Sequence, residues 1–219
     1  RSVNTDTQPL RHQTQRTRIH SLLLLRFLLL KTAAVRSGGK PGELLRVQHC
    51  YKSRNSEGFN FCLYRADILE TLKLNYLELR VEPESSLILF YHHETMAKTL
   101  SDTKNLSLLS TLGYPAGCDM DDLLAFLRER FAVEKIPHEV GVFIGYPLKD
   151  VKGFMEKLPR TPVHRGDWTV FGDAAESLEK MSLYRKAEEF AGKILDVCED
   201  LQTFFDLITN IEYNRKEIQ

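Results

Sequence analysis

The side chains best suited to acid–base chemistry flank one apolar run of the chain. His138 and Glu139 precede this run, and Tyr146 and Asp150 follow it. An imidazole titrates near neutral pH and is the most frequent general acid or base, and a carboxylate can orient it. Neighbours on an extended chain face opposite sides, so we do not expect Glu139 to be the partner of His138. The alternative is that His138 satisfies backbone groups where the chain enters a sheet.

Trp168 and Gly145 point to the recognition of a flat or an anionic ligand. Trp168 is the only tryptophan and stands beside glycines, where an indole is either a buried structural residue or a stacking surface. Gly145 precedes a predicted helix start, whose first amide groups can bind an anion. Pro147 removes one donor and Asp150 would repel a phosphate, so this signal is nonspecific. The ligand-binding candidates are His138, Glu139, Gly145, Tyr146, Asp150 and Trp168.

Motifs for catalysis or metal binding are missing from the sequence. It contains no Gly-x-Ser-x-Gly elbow, no His-Glu-x-x-His pair and no Gly-rich phosphate loop, and no motif identifies a cofactor. His92, His93 and Glu94 adjoin a predicted strand end, but adjacent side chains there point apart, so we predict no metal site. The cysteines are widely separated, which predicts reduced core thiols and a cytoplasmic protein.

The elements that position the candidate residues are predicted from apolar patterning. Residues 140–144 form a short apolar run before Gly145, which predicts a buried strand, and a helix is expected to follow from 148 to about 158. His138 and Tyr146 would then lie at opposite ends of one strand. We therefore expect only a subset of the candidates to converge, with Tyr146 and Asp150 first and Trp168 next.

The rest of the chain alternates between strand and helix patterns. Residues 77–82 alternate strictly and 87–91 are apolar, which predicts an antiparallel hairpin, and 168–171 reads as a fourth strand. Predicted helices are 21–30, 61–72, 94–100, 104–112, 120–131 with Asp119 as cap, and 174–208, with a short helix or turn at 42–46. The pattern predicts a single α/β or α+β domain over 19–212, with a small mixed sheet of about four strands flanked by helices.

Charge and length exclude two classes of partner. Residues 1–40 contain eight Lys or Arg and one acid, which leaves 22 basic and 29 acidic residues in the remainder. That mildly acidic remainder argues against a nucleic-acid-binding surface. The apolar run 21–30 is too short to span a bilayer and contains Arg26, so no membrane span is predicted. The polar residues 1–18 are expected to be a disordered basic tail, and 213–219 a C-terminal tail.

The string PHEVGVFIGYPLKDVKGF at residues 137–154 resembles the signature of the domain-of-unknown-function 3793 family of anaerobic bacteria. The resemblance extends to 31–45, 112–114 and 166–173, and so covers roughly residues 31 to 195. Val35, Thr169 and Phe171 stand where the family usually has Pro, Lys and Tyr, so no role of that Lys or Tyr carries over. Family members often occur near flavodoxin-like and iron-handling proteins, which implies a link to redox or iron physiology.

The distinctive residues are glycines, aromatics and a His–Glu pair, without a nucleophile or a metal cage. This combination favours a cytoplasmic protein that binds a small molecule or a protein partner without catalysis. One alternative is a small enzyme with a pocket near His138, Tyr146 and Asp150. A second alternative is a structural interaction module.

Overall fold

The computed structural model describes residues 15–53, 56–156, 161–198 and 200–209. The helices in these ranges are α1 (Gln15–Lys31), α2 (Ala33–Arg36), α3 (Phe61–Leu72), α4 (His93–Ser101), α5 (Thr103–Thr111), α6 (Met120–Val133), α7 (Val140–Phe143), α8 (Leu148–Met155), α9 (Ala175–Val197) and α10 (Leu201–Thr209). The strands are β1 (Gly42–Gln48), β2 (Cys50–Ser53), β3 (Ser56–Asn60), β4 (Asn75–Val81), β5 (Ser85–Tyr91), β6 (His164–Arg165) and β7 (Thr169–Val170). Residues 1–14 and 213–219 of the two expected tails lie outside the described residues.

A three-stranded antiparallel sheet in the order β1-β5-β4 is the central layer of the fold. The predicted hairpin of β4 and β5 is confirmed, with Leu77 opposite Leu89. Strand β1 pairs with the other edge of β5, with Leu45 opposite Ile88. Residues 85–90 of β5 are all buried, as expected for a middle strand covered on both faces. Strands β2 and β3 form a separate pair, as do β6 and β7.

The central sheet separates two hydrophobic cores. Ile88 and Phe90 of β5 pack into the first core, to which α1, α3, α9 and α10 contribute. Leu87 and Leu89 belong to the second core, together with residues of α4 to α8. Successive strand residues point to opposite faces, so the alternation of β5 divides its side chains between the two cores. The helices thus cover both faces of the sheet.

The predicted class is confirmed: the chain combines helices with a small sheet that they flank. The expected mixed sheet of about four strands is instead a three-stranded sheet in which both pairings are antiparallel. The prediction of a strand at 140–144 is wrong, because Val140–Phe143 is the helix α7. Its residues are buried on every side, and burial on all sides does not distinguish a strand from a short helix. The predicted helix or turn at 42–46 is also wrong, because these residues belong to β1.

Other predicted elements are confirmed with changed bounds. Strand β7 covers only 169–170 of the predicted strand 168–171 and pairs with β6 instead of joining the central sheet. The long helix expected at 174–208 is divided into α9 and α10. Asp119 caps α6 as predicted, because its side chain accepts a hydrogen bond from the backbone N–H of Asp122, at 3.0 Å.

The four cysteines are free thiols, but the expectation that they are core residues is wrong. Cys50 and Cys62 are exposed, and Cys118 and Cys198 are only partly buried. In the described part of the chain, no helix has the length and apolar character that crossing a membrane requires.

Candidate functional site

The short helix α7 brings His138 and Tyr146, which flank it, to one cavity. A strand advances about 3.3 Å per residue and a helix only about 1.5 Å, so helical residues keep His138 and Tyr146 closer than a strand would. Both residues line the same cavity of about 310 Å³. The expectation that they lie too far apart to converge is therefore wrong.

We call this space the aromatic cavity, defined by His138, Tyr146, Asp150, Phe154 and Trp168. The remaining wall is mainly apolar and comes from Leu44, Ile136, Val140, Gly141, Ile144, Val151 and Thr169. Helices α7 and α8 supply one side, and the hairpin of β6 and β7 supplies Trp168 and Thr169. The cavity is therefore a concave apolar space with few polar groups, which is typical of small-molecule sites.

The indole of Trp168 stacks on the ring of Tyr146, with 4.4 Å between ring centroids and 22° between planes. Trp168 is only 8% exposed, and Val170 and Met181 pack with it in a small separate cluster. Burial, helped by the charges of Glu43 and Asp167, raises the pKa of Tyr146 to about 12. The Tyr146 hydroxyl is therefore neutral at pH 7, and the stacked pair is an uncharged aromatic surface.

The buried carboxylate of Asp150 holds this aromatic surface in place. It accepts four hydrogen bonds: from Trp168 Nε1 at 2.8 Å, Ser177 Oγ at 2.6 Å, the Phe171 backbone N–H at 2.9 Å and Lys149 Nζ at 2.8 Å. A carboxylate offers about four lone-pair positions, so Asp150 has no acceptor capacity left for a ligand. We therefore regard Asp150 as a positioning residue for Trp168.

The ionised form of Asp150 is stabilised by these hydrogen bonds. Burial raises the pKa of Asp150, but the hydrogen bonds from Lys149, Phe171, Ser177 and Trp168 together outweigh burial, and the pKa lies below its ordinary value. Lys149 also donates to the Phe171 carbonyl at 3.1 Å and to Ser177 Oγ at 2.7 Å, which uses all three of its N–H groups. The network joins α8 to α9 and to the chain after β7.

His138 lies at the exposed rim of the aromatic cavity. Its ring meets Phe154 edge to face, with 4.8 Å between centroids and 81° between planes. The imidazole makes no hydrogen bond to another residue of the described ranges. Its ring nitrogens therefore remain open to a ligand, as a donor or as an acceptor.

Glu139 and Gly145 are the two candidate residues that do not line the aromatic cavity. Glu139 is 1% exposed and binds Arg130 Nε at 2.8 Å and the Tyr114 hydroxyl at 3.3 Å, on the side of the second core. The prediction that Glu139 is no partner of His138 therefore agrees with this geometry. Gly145 lines a different cleft, beside Lys149 and Tyr184.

Gly145 occupies a position that only glycine fits. Its φ is +80°, in the left-handed region, and a Cβ there would lie 2.6 Å from Pro41 Cδ and 2.9 Å from the Tyr184 hydroxyl. The Tyr184 hydroxyl donates to the Gly145 carbonyl at 3.2 Å. The turn between α7 and α8 is therefore fixed by close packing on the loop before β1 and on α9.

Sequence reasoning missed Phe154, which is not among the ligand-binding candidates. Its side chain is 55% exposed and belongs to the rim of the cavity. Phe154 follows Asp150 by four residues on one helix, so both lie on the same helix face. This spacing is the sequence signal that could have identified Phe154 as a lining residue. Ile136, 48% exposed and also a lining residue, carries no such signal.

His92 has a structural role as the cap of α4. Its Nδ1 accepts a hydrogen bond from the Thr95 backbone N–H at 3.3 Å and lies 3.0 Å from the Thr95 hydroxyl. Among the residues that the structure describes, no three His, Cys, Asp or Glu side chains come together as metal ligands.

The structure is that of a mixed helix–sheet protein with an aromatic cavity of small-molecule size beside residues 137–154, the signature segment. The model of the family described as Protein of unknown function (DUF3793) matches residues 28–204, and the chain belongs to this family. The resemblance of the signature is thereby confirmed. No curated protein and no solved structure matches the chain.

Proposed function

We propose that the protein binds a small, flat and mainly apolar molecule in the aromatic cavity, without transforming it. The observation that carries this proposal is the indole of Trp168, stacked on Tyr146 and fixed by Asp150 at the wall of an apolar cavity. A rigid aromatic surface binds a flat ring at low entropic cost, since little side-chain freedom is lost on binding.

The cavity volume limits the size of the ligand. An apolar cavity of about 150 Å³ holds benzene, and small-molecule sites start at about 300 Å³. The 310 Å³ of the aromatic cavity therefore suits a molecule of about two to three aromatic rings. His138 at the rim is a polar contact without a hydrogen-bond partner in the described ranges, so we expect the ligand to carry one hydrogen-bonding group near the cavity mouth.

Binding is favoured over catalysis because Asp150, Lys149 and Ser177 are already hydrogen-bonded to one another. Asp150 accepts four hydrogen bonds and Lys149 donates three, while Ser177 is fully buried between them. His138 would have to act without a second titrating group, and acid–base catalysis needs such a group close to the proton that moves. The small enzyme considered above has less support.

The proposed setting is the cytoplasm of a bacterium. Four free thiols without a disulfide support a reducing compartment. The acidic balance of residues 41–219 supports a small-molecule partner over nucleic acid. A redox-active ring would fit the same stacking surface, which is consistent with the redox physiology that the resemblance implies.

A protein partner is the second candidate, and one observation favours it. Ile136 and Phe154 are about half exposed at the mouth of the cavity. An apolar side chain of a partner could enter the cavity while its neighbours cover these two residues, as hydrophobic anchors do at interfaces.

The proposal is tested by the fluorescence of Trp168, the only tryptophan of the chain. We expect the neutral apolar probe N-phenyl-1-naphthylamine, a naphthalene joined to a phenyl ring, to bind, quench Trp168 by energy transfer and gain fluorescence. Phe154→Ala should weaken probe binding about three- to tenfold, because an aromatic contact is lost. Phe190→Ala, a 43% exposed residue outside the cavity lining, is the control and should bind as the wild type does.

Native mass spectrometry of protein purified from its own host identifies the natural ligand. The proposal predicts a retained mass of a few hundred daltons that Trp168→Ala or Phe154→Ala reduces. A stoichiometric protein in its place would support the second candidate. Bare protein, together with equal probe binding by Phe154→Ala and Phe190→Ala, would refute the aromatic cavity as a binding site.

A further inference from the structure

A second and larger cavity lies on the other side of the turn at Gly145. Its volume is about 590 Å³, and α4 and α5 form one wall while the start of α8 and the first turns of α9 form the other. Four lysines line it, namely Lys98, Lys104, Lys149 and Lys180, and we call it the lysine cleft. Tyr146 lines both cavities, but Trp168, His138 and Phe154 line only the aromatic cavity.

The charge of the lysine cleft is positive after its internal contacts are counted. Lys98 and Lys104 are exposed and form no ion pair within the described ranges. Of the two acids in the lining, Asp102 is engaged as the cap of α5, where it accepts hydrogen bonds from the backbone N–H groups of Lys104 and Asn105. Glu176 is exposed and pairs with Lys180 at a long 3.3 Å.

Lys149 and Asp150 neutralise each other and do not oppose this positive charge. The objection from the sequence, that Asp150 would repel a phosphate near Gly145, therefore fails. The Asp150 carboxylate is 1% exposed, is bound to Trp168 and Ser177, and does not line the lysine cleft. Three further ammonium groups line the cleft. Those of Lys98 and Lys104 have no ion-pair partner in the described ranges, and that of Lys180 makes only long contacts, to Glu176 at 3.3 Å and to the Gly145 carbonyl at 3.4 Å.

Backbone donors add to the lysines. Helix α8 starts at Leu148 after Pro147, no side chain caps it, and both residues line the cleft. The first N–H groups of a helix lack partners within the helix and carry partial positive charge. These donors alone do not make a site. Here they line the same cavity as the ammonium groups of Lys98, Lys104 and Lys180.

We propose that the lysine cleft binds a phosphate-bearing small molecule, with the phosphate held by Lys98, Lys104 and Lys180. Ammonium groups and helix amides are the donors that phosphate oxygens prefer. The volume of the cleft is in the range of metabolite sites, and its concave shape suits a small molecule better than an extended nucleic acid. This inference is independent of the aromatic cavity and its proposed ligand.

Calorimetric titration with inorganic pyrophosphate, at moderate ionic strength and pH 7, tests the proposal. We expect saturable 1:1 binding that weakens as salt is added, because exposed charges are screened. Lys180→Ala and the double variant Lys98→Ala with Lys104→Ala should each weaken binding about tenfold or more, as expected when a charge-assisted hydrogen bond is lost. Lys186→Ala, an exposed lysine of α9 outside the cleft, should change nothing.

The Glu176→Gln variant should strengthen pyrophosphate binding, whereas the lysine variants weaken it. It releases Lys180 from its carboxylate partner, so pyrophosphate binding should tighten about two- to fivefold, the measured range for exposed ion pairs. Equal losses in Lys180→Ala and Lys186→Ala, or no binding by the wild type at millimolar pyrophosphate, would overturn the proposal. N-phenyl-1-naphthylamine binding by the same variants should be unchanged, so failure of one cavity is distinguishable from failure of the other.

Discussion

The signature segment has a buried acid near each end, and the two acids are held in different ways. Glu139 joins α7 to α6 through Arg130 and Tyr114, inside the second core. Asp150 joins α8 to Trp168, Phe171 and Ser177, beside the aromatic cavity. Arg130 has a second acid, Glu134, at 2.8 Å, whereas the donors to Asp150 have no other carboxylate within the described ranges. If Glu139 is removed, Arg130 therefore keeps a carboxylate partner, whereas the donors to Asp150 lose theirs if Asp150 is removed.

This difference separates a residue that supports the core from one that organises the site. Burial, helped by the nearby Glu139 carboxylate, raises the pKa of Tyr114, which therefore remains a neutral donor to Glu139. Around Asp150 the donors belong to three different elements, and one of them is the indole that forms the cavity wall. The orientation of Trp168 therefore depends on Asp150, whereas the hydrogen-bond partners of Glu139, Arg130 and Tyr114, do not line the cavity.

The largest expected effect comes from removing the two acids in turn. Asp150→Ala should destabilise the protein by about 3–5 kcal/mol, because it leaves the indole N–H, the Phe171 amide and Lys149 without their shared acceptor. Glu139→Ala should cost less, about 1–3 kcal/mol, because Arg130 keeps Glu134. Urea denaturation followed by far-ultraviolet circular dichroism measures both losses.

Asp150→Asn serves as the control if Asp150→Ala does not fold. The amide keeps one acceptor oxygen, so its loss of stability should be smaller than that of the alanine variant. The emission maximum of Trp168 should shift in both Asp150 variants and stay unchanged in Glu139→Ala. Equal destabilisation at both positions, with no change in Trp168 emission, would remove the distinction between the two acids.

The next prediction tests whether the turn at Gly145, which lies between the two acids, can adapt to an added side chain. Gly145→Ala should cost about 2–4 kcal/mol, the sum of left-handed backbone strain and the close approach to Pro41 and Tyr184. Gly172→Ala is the matched control: its φ is +68°, but nothing lies within 4 Å of its added Cβ, so only the strain of about 1–2 kcal/mol applies. Equal losses in denaturation would mean that the turn adapts to the extra methyl group.

A comparison of the β4–β5 hairpin with helix α7 explains which parts of the fold the sequence could predict. The hairpin of β4 and β5 was predictable because the apolar Leu77 and Leu79 alternate with the charged Glu78 and Arg80 at the strand period. Helix α7 was not, since all four of its residues are buried and a uniformly apolar run has no period. The candidate residues were found from their types, but their convergence depends on α7 and on long-range contacts such as Trp168 to Asp150, 18 residues apart.

A smaller effect distinguishes Asp150 by its response to acid. Its pKa is lower in the folded protein than in the unfolded chain, so its stabilising contribution is complete above the unfolded value of about 4. That contribution is lost as the pH falls from about 4 through the lower folded pKa. The stability gap between wild type and Asp150→Asn should therefore be constant from pH 7 to about pH 5 and narrow below pH 4. Urea midpoints across this range measure the gap, and a gap that stays constant to pH 3 would contradict the lowered pKa.

The smallest effect separates the two tyrosines beside the turn. Burial, with Glu43 nearby, raises the pKa of both Tyr146 and Tyr184 to about 12, so both hydroxyls are neutral at pH 7 and only their hydrogen bonds differ. Tyr184 donates to the Gly145 carbonyl at 3.2 Å, whereas the Tyr146 hydroxyl has no partner in the described part of the chain. Tyr184→Phe should therefore cost about 0.5–1.5 kcal/mol, and Tyr146→Phe less than about 0.5 kcal/mol. Because Tyr146→Phe keeps the ring stacked on Trp168, it should bind N-phenyl-1-naphthylamine as the wild type does, while Tyr146→Leu should bind it more weakly. If Tyr146→Phe instead loses both stability and probe binding, the hydroxyl holds the site together and the stacked rings alone do not define it.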